Sequence, residues 1–125
     1  IEQHQVKEDT SIASNEINEK HREFLGKLKN EVLDNLTNKD FGVTSLCEIA
    51  FLSQSQLARK LKSMTGKTPI DFIRGIRLDC ALQYLQNGES VSEVGYRVGF
   101  DDPVYFSKVF KKHFGFAPSH HNKDS

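Results

Sequence analysis

Residues 91–119 read VSEVGYRVGFDDPVYFSKVFKKHFGFAPS, and residues 43–69 read VTSLCEIAFLSQSQLARKLKSMTGKTP. The two stretches repeat one pattern. Val43-x-x-Leu46-Cys47 matches Val91-x-x-Val94-Gly95 at an offset of 48: apolar, two spacers, apolar, small. Past the turn the offset becomes 49, pairing Leu57 with Phe106, Arg59 with Lys108, Leu61 with Phe110, Lys62 with Lys111, Gly66 with Gly115 and Pro69 with Pro118. The second copy therefore holds one extra residue in its turn, near Asp102. Self-similarity at a fixed period identifies a repeated supersecondary unit and outranks any single local motif.

Each copy predicts a short helix, a tight turn and a longer helix. In the first, Val43 to Leu52 forms about two turns, Ser53 is placed to accept from a free amide as N-cap, and a helix runs from about Gln54 to Met64. Leu57, Leu61 and Met64 share one face of it; Ser55, Ala58, Arg59 and Lys62 share the other. In the second, Ser90 or Ser92 opens a helix through Val98, Gly99 closes it, and a last helix follows Asp101-Asp102-Pro103 with Phe106, Phe110 and Phe114 turned inward. Small residues at 47 and 95 let the two helices of each pair cross closely. An apolar face at i, i+4 opposite a basic face is the helix-turn-helix plan, whose second helix enters the major groove of DNA.

The repeats are joined by a helix over about 69–86, opened by Thr68-Pro69 and ended by Asn87-Gly88, with Ile73, Ile76, Cys80, Ala81, Tyr84 and Leu85 as its apolar stripe. Upstream, Phe24, Leu25, Leu28, Val32, Leu33 and Leu36 recur with a helical period from about Asn18. Residues 1–17 are polar with isolated apolar positions and are expected to be a flexible linker. No stretch alternates apolar and polar residues as a strand would, so the predicted fold is all-α, about seven helices.

Composition bounds the rest. The 125 residues suit one domain. No apolar run approaches the ~18–20 residues of a membrane span, and IEQHQVKEDT at the start resembles no signal peptide. The missing initiator Met leads us to expect a piece of a longer protein. Cys47 and Cys80 make no paired motif, which favours a reducing, cytoplasmic setting. Seventeen Lys+Arg balance 17 Asp+Glu, a formal net charge of zero that argues against a nucleic-acid binder until position is considered. Residues 1–40 carry six Lys/Arg against nine Asp/Glu, net −3; residues 41–125 carry eleven against eight, net +3. Local density, not the sum, governs phosphate contact.

Ser53-Gln54-Ser55-Gln56-Leu57-Ala58-Arg59-Lys60-Leu61-Lys62, Thr65-Gly66-Lys67-Thr68-Pro69 and Phe72-Ile73-Arg74-x-Ile76-Arg77-Leu78 resemble the first half of the AraC-family (AraC/XylS) DNA-binding domain. Val91 to Ser119 resembles the second half, and more specifically. The likeness covers about residues 18–122 and is nearest in wording to the output domains of bacterial hybrid two-component regulators. It implies a seven-helix fold with helix-turn-helix subdomains at about 43–66 and 91–115, bridged by the helix 69–86. It also implies sequence-specific binding to double-stranded promoter DNA by two recognition helices in adjacent major-groove segments, with RNA polymerase as a further partner and control by upstream sensor and receiver domains, through which a dimer could form. This sequence departs from the pattern at Phe51, where the family has Gly and the second copy has Gly99; a turn with positive φ would strain it. Cys47 and Gly95 stand where Ala is usual, Gly75, Asp79 and Cys80 replace residues commonly polar or basic, and His121 replaces an aromatic.

Side chains pointing from the core near the start of each second helix are the base-contact candidates: Gln54, Ser55, Ala58 and Arg59 in the first copy, Pro103, Val104, Ser107 and Lys108 in the second. Arg suits a guanine edge, Gln an adenine edge, and Ala or Val a thymine methyl. Lys60, Lys62, Lys67, Lys111 and Lys112 are the phosphate-contact candidates. Gln56 and Tyr105 could face a groove or a neighbouring helix. The aromatic residues Phe100, Phe106, Phe110 and Phe114 read as core, both cysteines as small buried residues, and Arg74 and Arg77 as structural ion-pair partners of Asp71 or the first helix, with a phosphate contact the other role open to Arg74. No metal site is expected, since His120-His121 has no third and fourth ligand at a useful spacing. No cofactor or catalytic residue is expected either: there is no phosphate-binding glycine loop and no activated nucleophile. The competing reading is a helical protein-interaction module without DNA binding, which would show an exposed apolar groove or heptads.

Overall fold

The computed structural model describes residues 2–120, with side chains from residue 16 onward. Six α-helices follow one another: α1 Glu2–Asp34, α2 Val43–Ala50, α3 Gln54–Thr65, α4 Pro69–Gln86, α5 Val91–Arg97 and α6 Pro103–Phe114, with a short 3-10 turn at Pro118–His120. There is no strand among the described residues. The fold is all-α, as the patterning predicts.

The start of α1 differs from expectation. The helix begins at Glu2 and includes the polar stretch that its sparse apolar content marks as a linker. That stretch includes Glu2, Gln3, Gln5, Lys7, Glu8 and Glu16 and contains no glycine or proline, so nothing in it breaks a helix. Within α1, Leu28 and Val32 are fully buried, whereas Leu33, expected on the same stripe, is 37% exposed.

Two separate cores result. Leu28, Val32, Phe41, Leu46, Leu57, Leu61 and Ile73 make the first, uniting α1, α2, α3 and the start of α4. Leu36, Leu78, Ala81, Leu85, Val94, Val98, Phe106 and Phe110 make the second, uniting the rest of α4 with α5 and α6. Fully burying one such side chain is worth roughly 1.5–3 kcal/mol. Phe106 and Phe110 are buried; Phe100 and Phe114 are half-buried and pack on the second core. Cys47 and Cys80 are free and only half-buried rather than buried as expected.

Helix α4 serves both cores, which broadens the stripe read from its sequence. Ile73, Ala81 and Leu85 are buried, but so are Leu78 and Arg77. Arg77 is not the ion-pair partner predicted for it. It donates to four backbone carbonyls and has no acidic partner among the described residues. Arg74 does pair with Asp71, at 3.4 Å.

The connections are made by identifiable caps. Ser53 Oγ accepts from the Gln56 amide at 3.2 Å while Gln56 Oε1 accepts from the Ser53 amide at 2.9 Å, a reciprocal capping box. Thr68 caps α4 ahead of Pro69, and Ser90, rather than Ser92, caps α5. His121, noted for replacing an aromatic and as half of a histidine pair, lies outside the described residues.

Candidate nucleic-acid interface

The two repeats fold into matching helix pairs. In the first turn the Leu52 amide donates to Cys47 O at 3.1 Å; in the second the Phe100 amide donates to Gly95 O at 2.9 Å. Phe51 N–H reaches Glu48 O at 3.4 Å and Gly99 N–H reaches Tyr96 O at 3.0 Å. Both turns need a left-handed residue at that point, and Phe51 (φ 56°) takes the conformation that Gly99 (φ 95°) adopts without strain. The extra residue in the second turn is Asp101, since Ser53 and Asp102 are the N-caps of α3 and α6. Asp102 Oδ1 accepts from the Val104 and Tyr105 amides at 3.0 and 3.3 Å. Gly66 and Gly115 close the two helices in the same way. Packing is close at position 95: a Cβ there would come 3.1 Å from the Phe106 ring, so a larger side chain than Ala would have to displace that ring.

The second helix of each pair is wholly without Asp or Glu. Helix α3 carries Arg59, Lys60 and Lys62; α6 carries Lys108, Lys111 and Lys112. Each thus presents three positive charges, although the whole chain sums to zero. The first-turn residues of both helices face outward. Gln54, Ser55 and Arg59 are exposed, with Ala58 half-buried beneath them. Pro103, Val104 and Lys108 are exposed, with Ser107 half-buried. Val104, at 78% exposure, touches little of the protein, so its side chain has no role in either core. Among the described residues neither Arg59 nor Lys108 has an acidic partner.

The other lysines divide by position. Lys111 and Lys112 are exposed along α6. Lys60 Nζ lies 4.3 Å above the Phe24 ring, on the flank of α3 that faces α1. Lys62 Nζ donates to Gly66 O at 3.0 Å and so neutralises the carbonyl end of α3. Lys67 lines a groove of about 360 Å³ with Arg74 and Gly75 of α4 and Lys112 and His113 of α6. His113 Nε2 is also 3.3 Å from Asp79 Oδ1 of α4.

Both residues left open are placed. The Gln56 side chain is held in its capping box. Tyr105 is 42% exposed with its ring 6.1 Å from that of Phe100, so it lies along the edge of the second turn. Arg97, on α5, turns away from the α6 face. It binds Glu89 and stacks at 3.9 Å on Tyr84, and the hydrogen bond to Glu89 raises its pKa above the ordinary guanidinium value.

Sequence reasoning missed the burial of Arg77. The signal was available: positions 73, 77, 81 and 85 advance by four along one face of α4, so Arg77 falls inside a buried stripe. Burial lowers its pKa from the ordinary guanidinium value, through desolvation.

Comparison with known proteins agrees with this geometry. Residues 46–124 match the family model described as a helix-turn-helix domain. The chain belongs to this family, the AraC-type DNA-binding domains. Over 98 residues it is 39% identical to histidine kinase P4 of Formosa agariphila, covering 78% of this chain and 7% of the kinase. The C-terminal domain of AraT, a response regulator from Geobacillus stearothermophilus, superposes with a TM-score of 0.72 at 25% identity, over 82% of this chain and 85% of that one. The DNA-binding domain of AdpA, a global transcriptional factor solved in complex with a target DNA, superposes with a TM-score of 0.71 at 28% identity, over 80% and 90%. The chain spans from 7% to about a third of the length of the curated relatives it matches. It is thus a DNA-binding domain of the transcription-regulator class. No described helix is long and apolar enough to cross a membrane.

Proposed function

We propose that this domain is the output unit of a larger two-component regulator and reads promoter DNA by placing α3 and α6 in successive major-groove segments on one face of the duplex. The observation that carries this is the duplicated pair of acid-free helices, each opening on exposed, unpaired side chains. Gln54, Ser55, Ala58 and Arg59 read one half-site; Pro103, Val104, Ser107 and Lys108 read the other. Lys67, Lys111 and Lys112 hold phosphates, with Lys60 and Lys62 contributing less because both are engaged within the protein. The two helices differ at every base-contact position, so the half-sites differ, and their centres lie about one helical turn apart, roughly 10 bp. The likeness to part of a histidine kinase and to a response-regulator C-terminal domain supports upstream sensor and receiver domains as the controlling partners. In this reading RNA polymerase, in the cytoplasm, is the further partner of the bound regulator.

Selection of bound duplexes from a random pool tests this reading. A two-part motif is expected. Arg59→Ala and Lys108→Ala should each weaken binding to it by roughly 1–3 kcal/mol and relax preference in one half-site only. Recovery of no motif, together with salt-independent binding to a protein partner, would establish an interaction module instead.

A further inference from the structure

The two helix-turn-helix units have separate cores; α4 is the helix common to both, and Leu36 of the α1–α2 connection buries its side chain in the second. A shared helix sets how far apart the units are. It does not by itself set how each is rotated about that helix. The polar atoms that do so converge on Arg77.

Arg77 is only 5% exposed. Its Nη2 donates to Asn38 O at 3.1 Å and to Phe41 O at 3.0 Å, and its Nη1 donates to Val98 O at 3.1 Å and to Leu36 O at 3.5 Å. Three of these carbonyls belong to the connection between α1 and α2, in the first unit. The fourth belongs to the C-cap of α5, in the second. One planar fork therefore ties both units to the middle of α4. A guanidinium holds its donors in a fixed plane, so it dictates direction where an apolar side chain would supply only packing. Burying a cation with no acidic partner is unfavourable compared with a methionine or leucine of similar volume, which makes this a costly way to fill space. Two neighbouring features belong to the same junction. Gly99 lies flat against the guanidinium, where a Cβ would overlap Nη1 and come 2.7 Å from Leu36 O. Outside it, Lys39 of the first unit pairs at 3.7 Å with Asp101, the residue by which the second turn is longer than the first.

We propose that Arg77 is a positioning residue for DNA reading: it fixes the angle between the two helix-turn-helix units and so sets the half-site spacing the domain accepts. This rests on the two-helix reading of DNA given above. One base pair added between half-sites moves the second by about 3.4 Å and rotates it by about a tenth of a turn. A frame locked at Arg77 cannot follow that change; a frame joined by α4, the Leu36 side chain and the exposed Lys39–Asp101 pair, none of which fixes direction as the buried fork does, can.

The test uses the whole 125-residue chain and fluorescent duplexes bearing the selected motif, with the gap between half-sites changed by one or two base pairs in each direction. The wild-type chain is expected to lose roughly tenfold or more in affinity for each base pair, as the second half-site rotates out of reach. Arg77→Lys keeps the charge but cannot reach four carbonyls; its affinities should fall within about threefold of one another across the spacings, with the base preferences of each half-site unchanged. A folded Arg77→Lys chain with the wild-type spacing profile overturns the proposal. So does a wild-type chain that binds all spacings equally, which needs no variant to fold. No binding to any duplex overturns the DNA reading and this inference together, whereas binding without spacing preference overturns this inference alone.

Discussion

Gly99→Ala should be the most damaging single-methyl change in the domain. Two effects add. The residue sits at φ 95°, where an L side chain costs about 1–2 kcal/mol in backbone strain. The new Cβ would also overlap Arg77 Nη1, with Arg77 Cζ and Leu36 O both at 2.7 Å. The guanidinium must give way and the Leu36 main chain must shift as well, so the Arg77 bonds to Val98 O and Leu36 O are lost. A hydrogen bond to a charged group contributes about 1.5–3 kcal/mol, so losing two costs about 3–6 kcal/mol. Against this, alanine loses less chain entropy on folding than glycine, a gain of roughly 0.4–1 kcal/mol. The net loss is about 3–8 kcal/mol, comparable with the whole stability of a small domain, about 5–15 kcal/mol. Gly66→Ala and Gly115→Ala are the controls. Their φ values of 76° and 85° carry similar strain, but a Cβ at either meets nothing within 4 Å, so each should cost only about 1 kcal/mol. Urea unfolding followed by far-ultraviolet circular dichroism, extrapolated linearly to water, measures all three. If Gly99→Ala is no worse than Gly66→Ala, the guanidinium is not packed against this turn and the reasoning fails.

Three further outcomes are expected. Phe51→Gly should raise stability by about 0.5–1 kcal/mol, because relief of left-handed strain exceeds the added chain entropy and a side chain 90% exposed gives up no packing; a lower unfolding midpoint would show that Phe51 makes contacts its exposure does not indicate. In salt titrations of DNA binding, Lys111→Ala should reduce the slope of log affinity against log salt by about 1, whereas Lys60→Ala, whose ammonium lies over Phe24, should leave it nearly unchanged; equal effects would place Lys60 on the DNA. The Cys80 thiol holds its proton above the ordinary thiol value, chiefly through burial and then the Asp79 charge, opposed by Lys29. A pKa raised by folding contributes stability that is complete below the unfolded thiol pKa and is lost as pH rises through the folded one. Cys80 should therefore alkylate more slowly than an unfolded-chain thiol at neutral pH, with its rate rising only in strongly alkaline solution, and equal rates would refute the assignment.

Much of this structure was legible because the repeat is carried by residues whose chemistry has one structural use. Ser53, Pro69, Gly66 and Gly115 mark helix ends, and Leu57, Leu61, Phe106 and Phe110 mark core faces, all by local rules of short range. The outward faces of α3 and α6 follow from the inward ones. What was hidden depends on contacts distant in sequence. Arg77 is 41 residues from Leu36 and 21 from Val98, and no local pattern states that four carbonyls will meet there. Lys60 and Lys62 read as free cations until the positions of Phe24 and the Gly66 carbonyl are known. The Phe51 strain was legible through comparison, because the glycine of the resembling family and Gly99 in the second copy both reveal what the turn demands.

The repeat extends further than the two helix pairs. The flank of α3 that includes Lys60 rests on α1, at Phe24. The equivalent flank of α6, with His113 standing where Met64 stands in α3, rests on α4, at Asp79. Thus α1 supports α2 and α3 as α4 supports α5 and α6, and each helix-turn-helix unit with its support has three helices. The units are not equally independent, because α4 begins in the first core, at Ile73, before entering the second, and Leu36 from the first unit completes the second core. The first unit's leading connection is therefore part of the second unit's foundation. A change confined to residues 36–41 should disturb α6 as well as α3, even though α6 lies more than sixty residues downstream, because the carbonyls that hold Arg77 against Val98 come from that connection.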